Sequence, residues 1–197
     1  MTGVVRYLAL GDSVTQGVGA PDPETGSFPA RLSARWRTRG CTVELKNVGV
    51  SGYTASAVLS DQVPEIAVFK PTLITFQTGA NDIANGVTVE DYRKDVKIIL
   101  DAAKESGARV VVLLQNQWFR APQGPSYGGT FEKHAAYDAI MLEELKAKGA
   151  ELVDLRALYT QQADNNLWVS DGIHPTPEAY DAWAAEIARV IPSPCGK

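Results

Sequence analysis

The chain has 197 residues, enough for one domain that buries roughly 70% of the surface its unfolded form exposes. With 45% apolar and 21% charged residues it falls outside the disordered and fibrous classes, so a packed core is expected. The net charge of −4 argues against a nucleic-acid partner, whose phosphates call for clustered Lys and Arg. The densest basic cluster, Arg35, Arg37 and Arg39, reads as the cationic end of a solvated helix.

In chain order, the apolar start at residues 4–10 is too short for a membrane span. It lacks the basic segment and small-residue cleavage site of a signal peptide, and predicts a first strand at 7–10. A helical pattern at 28–39 leads to a short apolar run at 43–45, a second helix at 55–69 and a strand at 73–76. Thr88, with Asp91 three residues on, has capping-box spacing and opens a helix predicted at 89–104. A strand at 109–114 follows Gly107, and a helix at 131–148 is closed by Gly149. The last pair is a strand at 152–155 and a helix at 177–190, with Pro177 suited to its first turn. Strands alternating with helices predict a five-stranded parallel sheet in one doubly wound three-layer α/β/α domain over residues 1–197, with no linker or internal repeat.

The two cysteines, Cys41 and Cys195, lack metal-ligand spacing, and a single bridge between them stays open. A cytoplasmic location is the default expectation, although a secreted chain already cleaved from its signal peptide would read the same. No feature points to a particular oligomeric state.

Doubly wound sheets place ligands beyond the carboxyl ends of their strands, which selects the loops at 11–26, 48–54, 78–86 and 115–130. In the first, Ser13 stands directly after a strand at the start of a turn. A serine needs a base, and the chain holds only His134 and His174. His134 falls within a helical pattern, where a core-edge or exposed histidine is the simpler reading. His174 lies in a loop between Asp171 and Pro175, and a carboxylate three residues back can reach the imidazole around a turn. On local spacing alone, Asp171 as a turn cap beside a surface histidine is an equally good reading. Acyl transfer also needs donors for a developing oxyanion, which the Gly52 backbone and the Asn81 side chain can offer from neighbouring loops. Ser51 is a competing nucleophile better suited to a turn.

Four blocks carry a resemblance: Gly11-Asp12-Ser13-Val14-Thr15-Gln16-Gly17, Asn47-Val48-Gly49-Val50-Ser51-Gly52, Gly79-Ala80-Asn81-Asp82 and Asp171-Gly172-Ile173-His174-Pro175. In this order, and spanning nearly the whole chain, they resemble the GDSL-type SGNH hydrolase family of esterases and lipases. Ala80 departs from the family, which usually has a second glycine there. The resemblance implies a flavodoxin-like fold without metal or other cofactor, Ser13 as nucleophile, His174 as base and Asp171 as its orienting partner. It also implies an oxyanion hole from the Ser13 and Gly52 N–H groups and the Asn81 amide.

The reaction expected is two-step acyl transfer through an acyl-enzyme on a small-molecule ester. Substrate choice should lie in the loops. The 115–130 segment exceeds ordinary connection lengths, and its Trp118, Phe119 and Tyr127, with Tyr53 nearby, are candidates to line an acyl or sugar pocket. With no long apolar lid in the sequence, short acetyl-type esters of carbohydrates or small alcohols are favoured. The rivals are a lysophospholipase or thioesterase and, from another class, a noncatalytic flavodoxin-like binding module.

Overall fold

The computed structural model describes residues 3–192 and 194–196. Among them a single parallel sheet of five strands runs β2-β1-β3-β4-β5, with β1 Val5–Leu10, β2 Val43–Asn47, β3 Leu73–Phe76, β4 Arg109–Val112 and β5 Glu151–Leu152. This is the flavodoxin-like strand order. Alternation along the strands serves two cores. Val5, Tyr7 and Ala9 of β1 face one layer with Trp36 and Trp183, while Leu8 and Leu10 face the other with Ile99 and Met141. Both faces are therefore apolar and covered by helices, as a parallel sheet requires. The Phe28–Thr38 and Pro177–Val190 helices cover the first face, and the Val89–Glu105 and Phe131–Lys148 helices cover the second.

Helix ends follow local chemistry. Thr88 Oγ1 accepts from Asp91 N at 3.1 Å, Thr176 caps the helix that begins at Pro177, and Gly149 ends its helix at φ +62°. Two expectations need correction. The helix expected at 55–69 is broken into Ala55–Ala57, a wide turn at Val58–Gln62 and Pro64–Phe69, because Pro64 has no N–H to continue the ladder. The last strand is only Glu151–Leu152. Asp154 turns the chain by accepting from Arg156 N at 3.0 Å, which starts an unforeseen helix, Arg156–Asp164.

The arginine cluster is structural. Arg35 meets Asp181 at 2.8 Å, while Arg37 and Arg39 donate to the carbonyls of Val43 and Ala188. Cys41 and Cys195 form a disulfide that fastens the end of the chain beside β2. Among the described residues no helix is long and apolar enough to cross a membrane.

Candidate active site

The site lies where strand order reverses, between the carboxyl ends of β1 and β3. Chain direction after β1 is set by Gly11, where a Cβ would fall 2.7 Å from the Gln77 carbonyl. The buried side-chain amide of Gln62 clamps Gly11, accepting from its N–H and donating to its carbonyl, each at 2.8 Å. Asp12 then caps the turn Ser13–Gln16 by accepting from Val14 N at 2.9 Å. Ser13 is the first residue of that turn, 8% exposed and facing the cleft.

Two carboxyls of the site loops, Asp12 and Asp82, are buried. Burial pushes Asp12 up to about 7, with the Asp82 charge adding to the shift and the Val14 N–H opposing it. Asp82 is pushed up to about 6, chiefly by burial, although both its oxygens accept from Ala55 N.

On the other side of the cleft, Asp171 Oδ1 accepts from the N–H groups of Ile173 and His174 at 2.9 and 3.0 Å, while Oδ2 lies 2.6 Å from His174 Nδ1. The turn cap and the ring contact, alternatives on spacing alone, are thus made by one carboxylate. Partial burial pulls Asp171 upward, but these hydrogen bonds outweigh it and hold the carboxyl below its ordinary range. With Nδ1–H donated to Asp171, the lone pair of His174 is on Nε2. The loop is held by a Trp168–Pro175 bridge and by Val169 N donating to the His174 carbonyl at 2.9 Å.

A third loop is stitched to the Ser13 turn. Asn47 donates to the Thr15 carbonyl at 2.8 Å, and Ser51 N donates to Gln16 Oε1 at 2.8 Å. A Cβ at Gly49 would fall 2.5 Å from Gln16 N, so the two backbones touch. Gly52, at φ +84°, has open space before it. Among the described residues neither the Gly52 nor the Ser13 N–H has an acceptor. Asn81, in the short helix Ala80–Ala84, gives one amide hydrogen to the Tyr53 carbonyl at 2.9 Å, which leaves the other for a ligand.

Ser13, Gly52, Asn81 and His174 line one cleft of about 220 Å³, walled by Val14, Ala80, Ala84, Ile173, Trp118 and Tyr127. Asp171 stands behind His174. Two sequence candidates are not brought there. The Tyr53 hydroxyl is turned to Asp61 at 2.7 Å, so this residue meets the site only through its carbonyl. Phe119 faces the opposite side of its loop, where it stacks near His134. His134 is buried there, with Nε2 2.9 Å from the Asn116 carbonyl, away from Ser13. Sequence reasoning missed Gln16, Gln62 and Asn116, which lines the cleft. Asn116 lies in the loop at 115–130 that the topology selects, but no signal within that loop singles it out.

The profile of the GDSL-like Lipase/Acylhydrolase family matches residues 9–182. The chain belongs to this family. Among relatives of this GDSL-like chain is an arylesterase of Vibrio mimicus, 28% identical over 185 residues, covering 92% of this chain and 84% of that protein. Another is esterase TesA of Pseudomonas aeruginosa, 27% identical over 170 residues, covering 85% and 78%. A lipase/acylhydrolase structure from Enterococcus faecalis superimposes with a TM-score of 0.80 over 95% of each chain at 20% identity, which shows the shared fold. The GDSL-like protein is a carboxylic ester hydrolase.

Proposed function

We propose that the protein cleaves short-chain esters through a Ser13–His174–Asp171 triad. Ser13 Oγ attacks the ester carbonyl, and His174 Nε2 takes its proton and passes it to the leaving alcohol. Water then releases the acyl group from Ser13 by the same proton path in reverse. Asp171 fixes the tautomer and stabilises the imidazolium, while the N–H groups of Ser13 and Gly52 and the free amide hydrogen of Asn81 receive the oxyanion. The observation that carries this reading is the 2.6 Å contact of Asp171 Oδ2 with His174 Nδ1 at the edge of the cleft that holds Ser13.

Cleft size supports a small acyl group. About 220 Å³ bounded by Trp118 and the Ala80–Ala84 turn suits an acetyl-type chain on a carbohydrate or small alcohol better than the acyl chain of a lysophospholipid or a long-chain thioester. The Cys41–Cys195 disulfide supports an oxidising compartment over the cytoplasm.

Ser13→Ala should abolish turnover of p-nitrophenyl acetate with the fold retained, and an organophosphonate should label Ser13 in the parent protein. Near-normal turnover in the variant would sink the triad. In a p-nitrophenyl series, rates should fall beyond about four to six acyl carbons if the cleft volume governs entry. A preference for long chains or thioesters would transfer the assignment to the lysophospholipase or thioesterase reading.

A further inference from the structure

One segment, residues 114–119, borders both the active-site cleft and a second groove. Along residues 114–119, Asn116 and Trp118 face the cleft, whereas Leu114, Gln115, Gln117 and Phe119 face a second groove of about 280 Å³. That groove opens between the Phe131–Lys148 and Arg156–Asp164 helices. We propose that it binds a small neutral hydroxylated ring, a molecule of phenol size, and that its occupant is felt in the catalytic cleft through the shared wall.

Three features select this chemistry. The walls are apolar and partly aromatic: Phe119 packs edge-on to Phe131 at 6.2 Å, and Leu142 and Ala139 belong to the same groove. The space exceeds the roughly 150 Å³ of an engineered cavity that takes up benzene. At the polar end, Asp138 is held by contacts that a guest hydroxyl can displace. Its contacts are long, at 3.4 Å from Gln115 N, 3.2 Å from Gln115 Nε2 and 3.6 Å from His134 Nδ1. The groove also holds Tyr159, only 1% exposed, whose hydroxyl has no hydrogen-bond partner among the described residues.

Charges of both signs line the groove, the Asp138 carboxylate and an Arg156 guanidinium already held by Asp154 at 2.9 and 2.5 Å, so a neutral guest meets no unbalanced field. A neutral hydroxyl can donate to Asp138 while its ring lies on the apolar wall.

The connection to catalysis follows from two hydrogen bonds in series. Gln115 Nε2 donates to Asp138 at 3.2 Å, and Gln115 Oε1 accepts from Trp118 Nε1 at 3.1 Å. A guest hydroxyl that takes Asp138 loosens Gln115 and, through it, the indole that walls the cleft. This second step rests on the proposed esterase reading, but binding to the groove does not.

Phenol is the probe, titrated into the resting protein and followed by amide and side-chain NMR shifts. The expected result is saturable shifts at Ala139, Leu142 and the Gln115 side-chain amide with a millimolar Kd, together with a shift of the Trp118 indole. Toluene, which lacks the hydroxyl, should bind at least about fivefold more weakly. Ala139→Trp, at an exposed helix position where the indole can fill the groove without disturbing the core, should remove the shifts. Asp138→Asn should weaken binding, and retained groove shifts in a folded Ala139→Trp variant would overturn the site. Shifts confined to Ser13, Gly52 and Asn81, no saturation, or equal affinity for toluene would also overturn the proposal. A failure of Ser13→Ala to lose turnover would sink the triad and leave these shifts untouched, so the two readings fail separately.

Discussion

Replacing Asp12 by Asn should stabilise the protein, and the gain should grow with pH. Asp12 is 3% exposed, and its carboxyl is raised from 3.8 to about 7, by burial first and the Asp82 charge second. In the unfolded chain the same group ionises near its ordinary value. Below about pH 4 both states hold the proton, so Asp12 incurs no penalty on folding. Between about pH 4 and 7 the unfolded chain releases a proton that the folded chain keeps, so stability falls as pH rises. Above about pH 7 the full penalty is in place, up to ~4 kcal/mol for a difference of this size.

Asparagine cannot ionise, yet its Oδ1 can still accept from Val14 N, a bond of 2.9 Å in the parent protein. Asp12→Asn should therefore match the parent near pH 4 and exceed it at pH 8, with Tm higher by on the order of 10 °C for a domain of this length. Paired thermal denaturation at pH 4.5, 6 and 8 measures the gap. Parallel Tm profiles, or a gap that closes as pH rises, would refute the buried-carboxyl argument.

Asp171→Asn separates the two duties of that side chain. Its Oδ1 can still cap the turn at Ile173 and His174, but the ring contact no longer favours the productive tautomer, so kcat should fall by up to roughly ten-thousandfold with Tm little changed. A loss of only a few fold would make Asp171 a cap alone. Asn81→Ala should lower kcat by about a hundred- to a thousandfold with KM nearly constant; a larger effect on Tm than on kcat would mean that Asn81 chiefly ties down the Tyr53 carbonyl. Reducing the disulfide, which joins residues 154 apart, should cost up to about 5 kcal/mol by chain entropy. An unchanged Tm under reductant would show that the bridge adds nothing to stability.

Much of the site was legible because its members are fixed by short-range chemistry. Ser13 follows a strand, and Asp171 can reach His174 within a single turn, so local spacing made both candidates, while the folded loop showed that one carboxylate makes the cap and the ring contact together. The strands were legible for a related reason. Continuous apolar runs such as Tyr7, Leu8, Ala9 and Leu10 satisfy two covered faces, and their shortness, closed here by Gly11, marks them as strands rather than helices. The breaks were less visible. Pro64 could have warned of the interrupted helix, but Gln62 turns inward to hold Gly11, 51 positions away, and only the folded chain brings these together.

The sequence by itself therefore determined the layer architecture, the family and the candidate residues for the proposed acyl transfer, because periodicity and motif order are properties of the chain. Tertiary structure decided which way the loop side chains point and which cysteines meet. It turned Trp118 and Tyr127 toward the cleft, Phe119 and His134 away from it, and the Tyr53 hydroxyl to Asp61. It also joined Cys41 to Cys195. Those outcomes depend on what packs against each residue from elements distant in the chain, and no local pattern records that.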